Sequence, residues 1–375
     1  MTAISKMIVG AKLHLNPNNN NFYGVTKALA NIFGVSREEL STIQPTSAKE
    51  LSDFIDLLLE IDTHESKSQS DLRQRAWKLI KAFIANPPNP PQFANVDVLK
   101  FAFQLALRVR EPQLIAQGNL GICGANAVVV YHARQDPHDY AQLGINLMTT
   151  GQGKFGQKKL EPNPNVKAGF NTVQLAEADY VILTAVRGSA TLVEKVLRTQ
   201  GKKARALGIG AGLAPGAVTE ILRAAGYTHV EDHSHDFSTT NWNKNLAKAK
   251  QRVEEGYLVM FSINAKLAQA MVDDKAMELS SLDVSGDTWE KSLATASSGK
   301  GELLHPLPSR PIVYSNHWVL VRKFVITEKE SITIKLYSWG ESVKRTIPYK
   351  KFLDYYDGFI SAKLGGEERR LSISM

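Results

Sequence analysis

The sequence predicts an α+β protein, with a helical N-terminal domain followed by a mixed region that ends in antiparallel strands. Three observations carry that expectation. Apolar residues recur at helical spacing over residues 23–110, in LSDFIDLLLEI, RQRAWKLIKAFIA and VDVLKFAFQLALRVRE. From Pro112, short β-rich runs such as DYVILTAV (179–186) and ARALGIG (204–210) alternate with helical ones. The last segment, RPIVYSNHWVLVRKFVI, ESITIKLYSWG and FLDYYDGFISAK, alternates apolar and polar residues between turn formers. Helices first and antiparallel strands last is the α+β arrangement.

Each element has its own local warrant. The polar run Asn16 to Asn21 ends the first segment. Thr46-Ser47-Ala48-Lys49-Glu50 resembles a capping box at the head of LSDFIDLLLEI. A polar break, Thr63 to Asp71, separates that helix from RQRAWKLIKAFIA, which the proline-rich stretch Asn86 to Pro91 stops. A third helix runs to about Glu111. TLVEKVLRTQ (191–200) and GAVTEILRAAG (216–226) read as helices, and residues 244–283 as a helical insertion. Ala294 to Gly301 reads as a loop. The expected domains are an all-α domain over 1–110 and a second domain over 111–375.

Composition narrows the class. The chain has 375 residues, 43% hydrophobic and 22% charged, which suffices for a sizeable core. Its net charge of +8 is spread over too many residues to identify nucleic acid as a partner, and none is expected. One cysteine permits no internal disulfide. No apolar stretch approaches the roughly 20 residues of a membrane span, and the N-terminus lacks the pattern of a Sec signal. A reducing compartment is therefore expected.

The sole cysteine lies in Gln117-Gly118-Asn119-Leu120-Gly121-Ile122-Cys123-Gly124, ahead of the apolar AVVVYHARQ. Loop formers followed by a helical run put Cys123 at a helix N-terminus, where unsatisfied N–H groups and the macrodipole favour a thiolate. A buried structural thiol is the competing reading. The glycine-rich approach weighs against it.

Gln117-Gly118-x-x-Gly121-x-Cys123 resembles the nucleophile signature of papain-like cysteine proteases, with Gly124 where that family has an aromatic. Asn316-His317-Trp318-Val319-Leu320-Val321 places a histidine at the start of an alternating strand, and Tyr337-Ser338-Trp339-Gly340 resembles the family's Asn-Ser-Trp-Gly. The resemblance spans about residues 112–363, and its layout is closer to bacterial effector or toxin domains than to secreted digestive proteases. It implies a papain-like fold, with the nucleophile helix packed on an antiparallel sheet. It also implies a catalytic set of Cys123 as nucleophile, His317 as base and Gln117 as oxyanion donor, with Trp339 shielding the imidazole. Tyr337 replaces the orienting asparagine, which leaves Ser338, Glu341 or a plain Cys–His dyad for that role.

The activity so implied is thiol-mediated hydrolysis of a protein substrate, without cofactor or metal. Side-chain deamidation or transamidation, and non-catalytic binding on a degenerate protease scaffold, are the alternatives. The expected setting is synthesis in a bacterial cytoplasm and signal-peptide-independent delivery to a target cytosol. The N-terminal helical domain is expected to engage an immunity, inhibitor or delivery partner.

Other clusters rank lower. His229, His233, His235 and Asp236 lack HExxH spacing and read as a solvated loop before a metal site. The glycines of 208–216 lack the Gly-Lys-Ser/Thr of a phosphate cradle, and Pro215 fits the first position of a helix. The lysines of 244–251 and 343–351 read as solvated faces.

Overall fold

The computed structural model describes residues 2–14, 42–63, 70–118, 120–173, 175–189, 215–234, 242–274, 317–327, 331–338 and 340–365. The chain divides into two compact units, Met1–Ala211 and Gly212–Met375. This division differs from the expected boundary at 110/111. The last N-terminal helix packs both on helices before it and on helices that follow it, so no separate core closes at residue 110.

The first unit is built from helices α1 (Ala3–His14), α2 (Ala48–Thr63), α3 (Ser70–Ala85), α4 (Val98–Arg110), α5 (Cys123–Gln135), α6 (Pro137–Thr150), α7 (Pro164–Ala168) and α8 (Glu177–Gly188). A two-stranded antiparallel hairpin, β1 (Gly153–Phe155) and β2 (Lys158–Leu160), follows α6. The start of α2 is the capping box that the sequence suggests. Ser47 Oγ accepts from Glu50 N at 3.2 Å, and the Glu50 carboxylate accepts in return from Thr46 N at 2.8 Å. Asp97 caps α4 through Lys100 N at 2.8 Å.

Helix α4 is buried from Phe101 to Arg110 and packs against α2, α3, α6 and α8. Its two buried arginines need counter-charges, and the fold supplies them. Arg73 and Arg110 meet Asp62 at the end of α2, at 2.6 and 3.5 Å. Arg108 forks onto Asp179, with Nε to Oδ1 at 2.6 Å and Nη2 to Oδ2 at 2.7 Å. The same Asp179 carboxylate accepts from Ala116 N at 3.1 Å, so α4, α8 and the segment after α4 share one anchor. Burial pushes the Asp179 carboxyl up, while Arg108 and the Ala116 N–H work to keep it ionised.

The run DYVILTAV, expected as a strand, lies within α8. A helix buried on every side carries no polar stripe, so its apolar run reads like a buried strand.

The second unit contains α9 (Pro215–Ala224), β3 (Tyr227–Ser234), α10 (Trp242–Glu254), β4 (Leu258–Ile263), α11 (Ala265–Val272), β5 (His317–Thr327), β6 (Ser331–Ser338), β7 (Glu341–Pro348), α12 (Tyr349–Tyr355) and β8 (Tyr356–Leu364). Its six strands form one antiparallel sheet in the order β3-β8-β4-β5-β6-β7. Val259, Phe261, Val319, Leu336 and Phe359 belong to the core on one face, together with residues of α10, α11 and α12.

Three expectations are corrected here. The helical insertion over 244–283 is broken by Gly256, at φ 78°, and by β4, all six residues of which are buried. A strand buried on both faces has no period-2 signal, so it merged with its helical neighbours. Phe352 to Tyr355 of the expected last strand belong to α12, and the strand proper starts at Tyr356. The His229 to Ser234 part of the expected loop lies in β3, at the sheet edge. Residues 191–200, 204–210 and 294–301, whose elements were also expected, lie outside the described residues.

Removing one member of the Arg108–Asp179 pair strands a buried charge, so Asp179→Ala is expected to cost about 3–5 kcal/mol of stability. Arg108→Met combined with Asp179→Leu should recover most of it. Urea unfolding followed by circular dichroism checks both; an Asp179→Ala protein as stable as the wild type would count against the role given to this pair.

Candidate active site

The approach to Cys123 is shaped by backbone geometry that only glycine adopts readily. Gly118 (φ 52°) and Gly121 (φ 68°) both take left-handed conformations, with Leu120 N bonded back to Gln117 O at 3.3 Å. The chain thus turns twice in the six residues from Gln117 and enters α5 with Cys123 as its first residue. Ile122, at the cap position, makes no side-chain capping bond. A helix N-terminus favours negative charge, while burial of the sulfur opposes it. Cys123 forms no disulfide and is buried, as is α5 as far as Ala133.

Gln117 is buried, and its Oε1 has no hydrogen-bond partner. One turn beyond Cys123, Asn126 is also buried with its Oδ1 unpartnered. Asn126 carries no signal in the sequence that singles it out. Asp179, which accepts from the Ala116 N–H and so holds the start of this loop, and its partner Arg108 were also missed. A charged residue inside an apolar run such as Asp179-Tyr180-Val181-Ile182 is the signal that could have found them.

His317 is the first residue of β5 and Ser338 the last of β6. Leu320 pairs with Tyr337, so strict alternation puts Ser338 on the face of Val319 and His317, as a diagonal neighbour of the imidazole. Ser338 Oγ lies 2.7 Å from His317 Nε2, and both residues are buried. Tyr337 falls on the opposite face of the strand from His317. Trp339 lies outside the described residues. Burial lowers the His317 pKa from 6.5 to about 3, so the imidazole is neutral at pH 7.

The expected catalytic residues therefore belong to different units, Cys123 and Gln117 to the first, His317 and Ser338 to the second.

At the edge strand β3, His233 Nε2 lies 3.1 Å from Glu231, which also meets Lys248 and Arg252. Desolvation opposes ionisation of Glu231, but these three partners outweigh it and hold its pKa at about 2. Among the described residues no group of His, Cys, Asp and Glu is arranged to hold a metal ion. Among them too, no helix is long and apolar enough to cross a membrane.

In comparisons with protein-family models, curated proteins and solved structures, nothing matches this chain.

A histidine kept neutral by burial makes stability pH-dependent. Between pH 6.5 and about 3 the unfolded chain binds a proton at this site that the folded chain does not. Stability should therefore fall as the pH drops through that window, by up to about 1.4 kcal/mol per pH unit from this group. In His317→Gln the component should vanish, flattening the profile between pH 7 and 5 relative to wild type. Thermal unfolding across that range reads the difference, and superimposable profiles would mean that His317 protonates freely in the folded protein.

Proposed function

We propose that the protein is a thiol-dependent acyl-transfer hydrolase of papain-like type, with Cys123 as nucleophile and His317 as base. The observation that carries this reading is the position of the sole cysteine. It opens a buried helix, behind two left-handed glycines, with the polarity of the helix favouring a thiolate. The hydrogen bond between the imidazole and Ser338 supports the second half of the reading.

In the proposed reaction, the Cys123 sulfur attacks a carbonyl carbon and its proton passes to His317. In this reading the imidazole carries its own proton on Nε2, donated to Ser338 Oγ, and takes the thiol proton at Nδ1. Collapse of the tetrahedral intermediate expels the amine, which takes the proton from the imidazole and leaves a thioester. Water activated by the same imidazole then releases the acid and restores the thiol. Gln117 Nε2 and the Cys123 N–H donate to the oxyanion, and one such donor contributes about 2.7–4 kcal/mol.

Peptide cleavage on a protein substrate, as a bacterial effector or toxin in a target cytosol, is the leading form. Deamidation or transamidation of a side-chain carboxamide shares the thioester step. The helical N-terminal segments would serve a delivery or inhibitory partner.

A second reading, non-catalytic binding on a degenerate protease scaffold, is favoured by two observations. An imidazole with a pKa of about 3 is a weak base, and the residue standing in the asparagine position faces away from it.

Alkylation kinetics separate the readings. At pH 7, Cys123 is expected to react with iodoacetamide at least about tenfold faster than free cysteine, as activated thiols do. His317→Gln should slow that reaction, and Ser338→Ala should slow it less. Expression in a target cytosol should be harmful or alter a host protein for the wild type and not for Cys123→Ala. A thiol no faster than free cysteine, together with equal effects of both versions, would leave the binding reading in its place. Once a substrate is in hand, Gln117→Ala should lower kcat by about 10²–10³ with folding intact.

A further inference from the structure

Along β5, β6 and β7, away from His317, the sheet carries an arrangement that the proposed chemistry does not use. Lys323 pairs with Lys335, and Lys335 with Lys344, so three lysines stand directly opposite one another across β5, β6 and β7. All three are exposed. Strands lie about 4.8 Å apart, so the row spans about 10 Å. Like charges directly opposite on a sheet are destabilising. None of the three has an ion pair among the described residues. The adjoining rows on that face, Tyr337 with Ser342 and Val325 with Thr333 and Thr346, hold no carboxylate.

Lysine on an edge strand is a common guard against unwanted pairing, and that accounts for Lys344 on β7. It does not account for Lys323 and Lys335, whose strands have neighbours on both sides. The row ends at β7, the outermost strand among the described residues, which is eight residues long and alternates exposed Lys344 and Thr346 with buried Val343 and Ile347. The next position in the row, opposite Lys344, is where the first counter-charge would stand. Val325, one of the few exposed large hydrophobics among the described residues, lies in the adjacent row. The exposed rows carry no aromatic ring on which a nucleobase could stack.

We infer that β7 and the lysine row beside it form a docking edge for an extended acidic segment of a partner protein, which adds as a seventh strand. Its backbone pairs with β7. Alternate side chains are carboxylates on the lysine face and apolar residues on the face of Val343 and Ile347. This edge is separate from the thiol chemistry and stands whether or not Cys123 is a nucleophile.

The test uses the full-length chain and a fluorescein-labelled peptide of about ten residues alternating glutamate and valine, followed by anisotropy. Binding is expected at low salt. Affinity should fall at least about tenfold at high salt, and by a similar factor in the Lys323→Gln/Lys335→Gln/Lys344→Gln protein. Methylating every second backbone nitrogen of the peptide, on the set that faces β7, should abolish binding. The triple variant should melt no lower than wild type, since it relieves repulsion; a lower melting temperature would mean that the lysines are already met within the fold, and would overturn the inference. So would the absence of binding at millimolar peptide, binding unchanged by the triple substitution, or equal binding of the methylated peptide. Tighter binding of phosphatidylserine vesicles or a polythymidine strand through the same lysines would assign the face to a lipid or a nucleic acid, and the acidic-segment partner would be wrong.

Discussion

The first unit depends on one carboxylate. Asp179 is fully buried, and a carboxylate in that position is tolerated only if its charge and lone pairs are met. Arg108 meets the charge from α4, and the Ala116 N–H takes a further lone pair. Gln104, one turn before Arg108, extends the network. Its amide donates to Glu177 at 2.6 Å and accepts from Ala178 N at 3.0 Å. Two helices distant in sequence are thereby set in register, and the chain leaving α4 is pinned just before Gln117. An apolar pair could supply as much stability, but it could not choose one register or hold a backbone N–H. The loop leading to Cys123 is thus anchored at its start by a buried charge pair.

In the second unit the corresponding constraint is strand parity. Side chains alternate across a sheet, so one pairing, Leu320 with Tyr337, decides which residues share a face along β5 and β6. It brings Ser338 to His317 and sends Tyr337 away. A register shift between Val321 and Lys323 then changes the outcome farther along the strand. Strict alternation from Val319 and Val321 would aim Lys323 at the core. The extra residue turns it outward, and Phe324 takes the core position instead. The same bulge therefore completes the apolar core and the lysine row on the other face.

Cys123 and His317 are both buried, but of the two only Cys123 opens a helix. The helix N-terminus favours charge at Cys123, whereas the apolar surroundings of His317 disfavour it. At neutral pH the imidazole is uncharged, and its Nε2 is hydrogen-bonded to Ser338. A hydroxyl orients a ring without stabilising its cation as a carboxylate would. This is consistent with the low pKa of His317, and it separates this arrangement from triads that carry a buried acid.

Local signals in the sequence determined the α+β class, the helix opening at Cys123, the capping box at Ser47 and Glu50, and the strands beginning at His317 and Ser331. Each rests on periodicity or on turn chemistry within a few residues. The continuous apolar runs of α8 and β4 were misread because an element buried on all sides has no polar face to mark its period. The carboxylate that pins the Gln117 loop, the choice of Ser338 over Tyr337 beside the imidazole and the alignment of three lysines were decided only by the tertiary structure. Each depends on which distant segments pair and in what register, and a one-residue shift, as at Val321 and Lys323, reverses the face of every side chain beyond it.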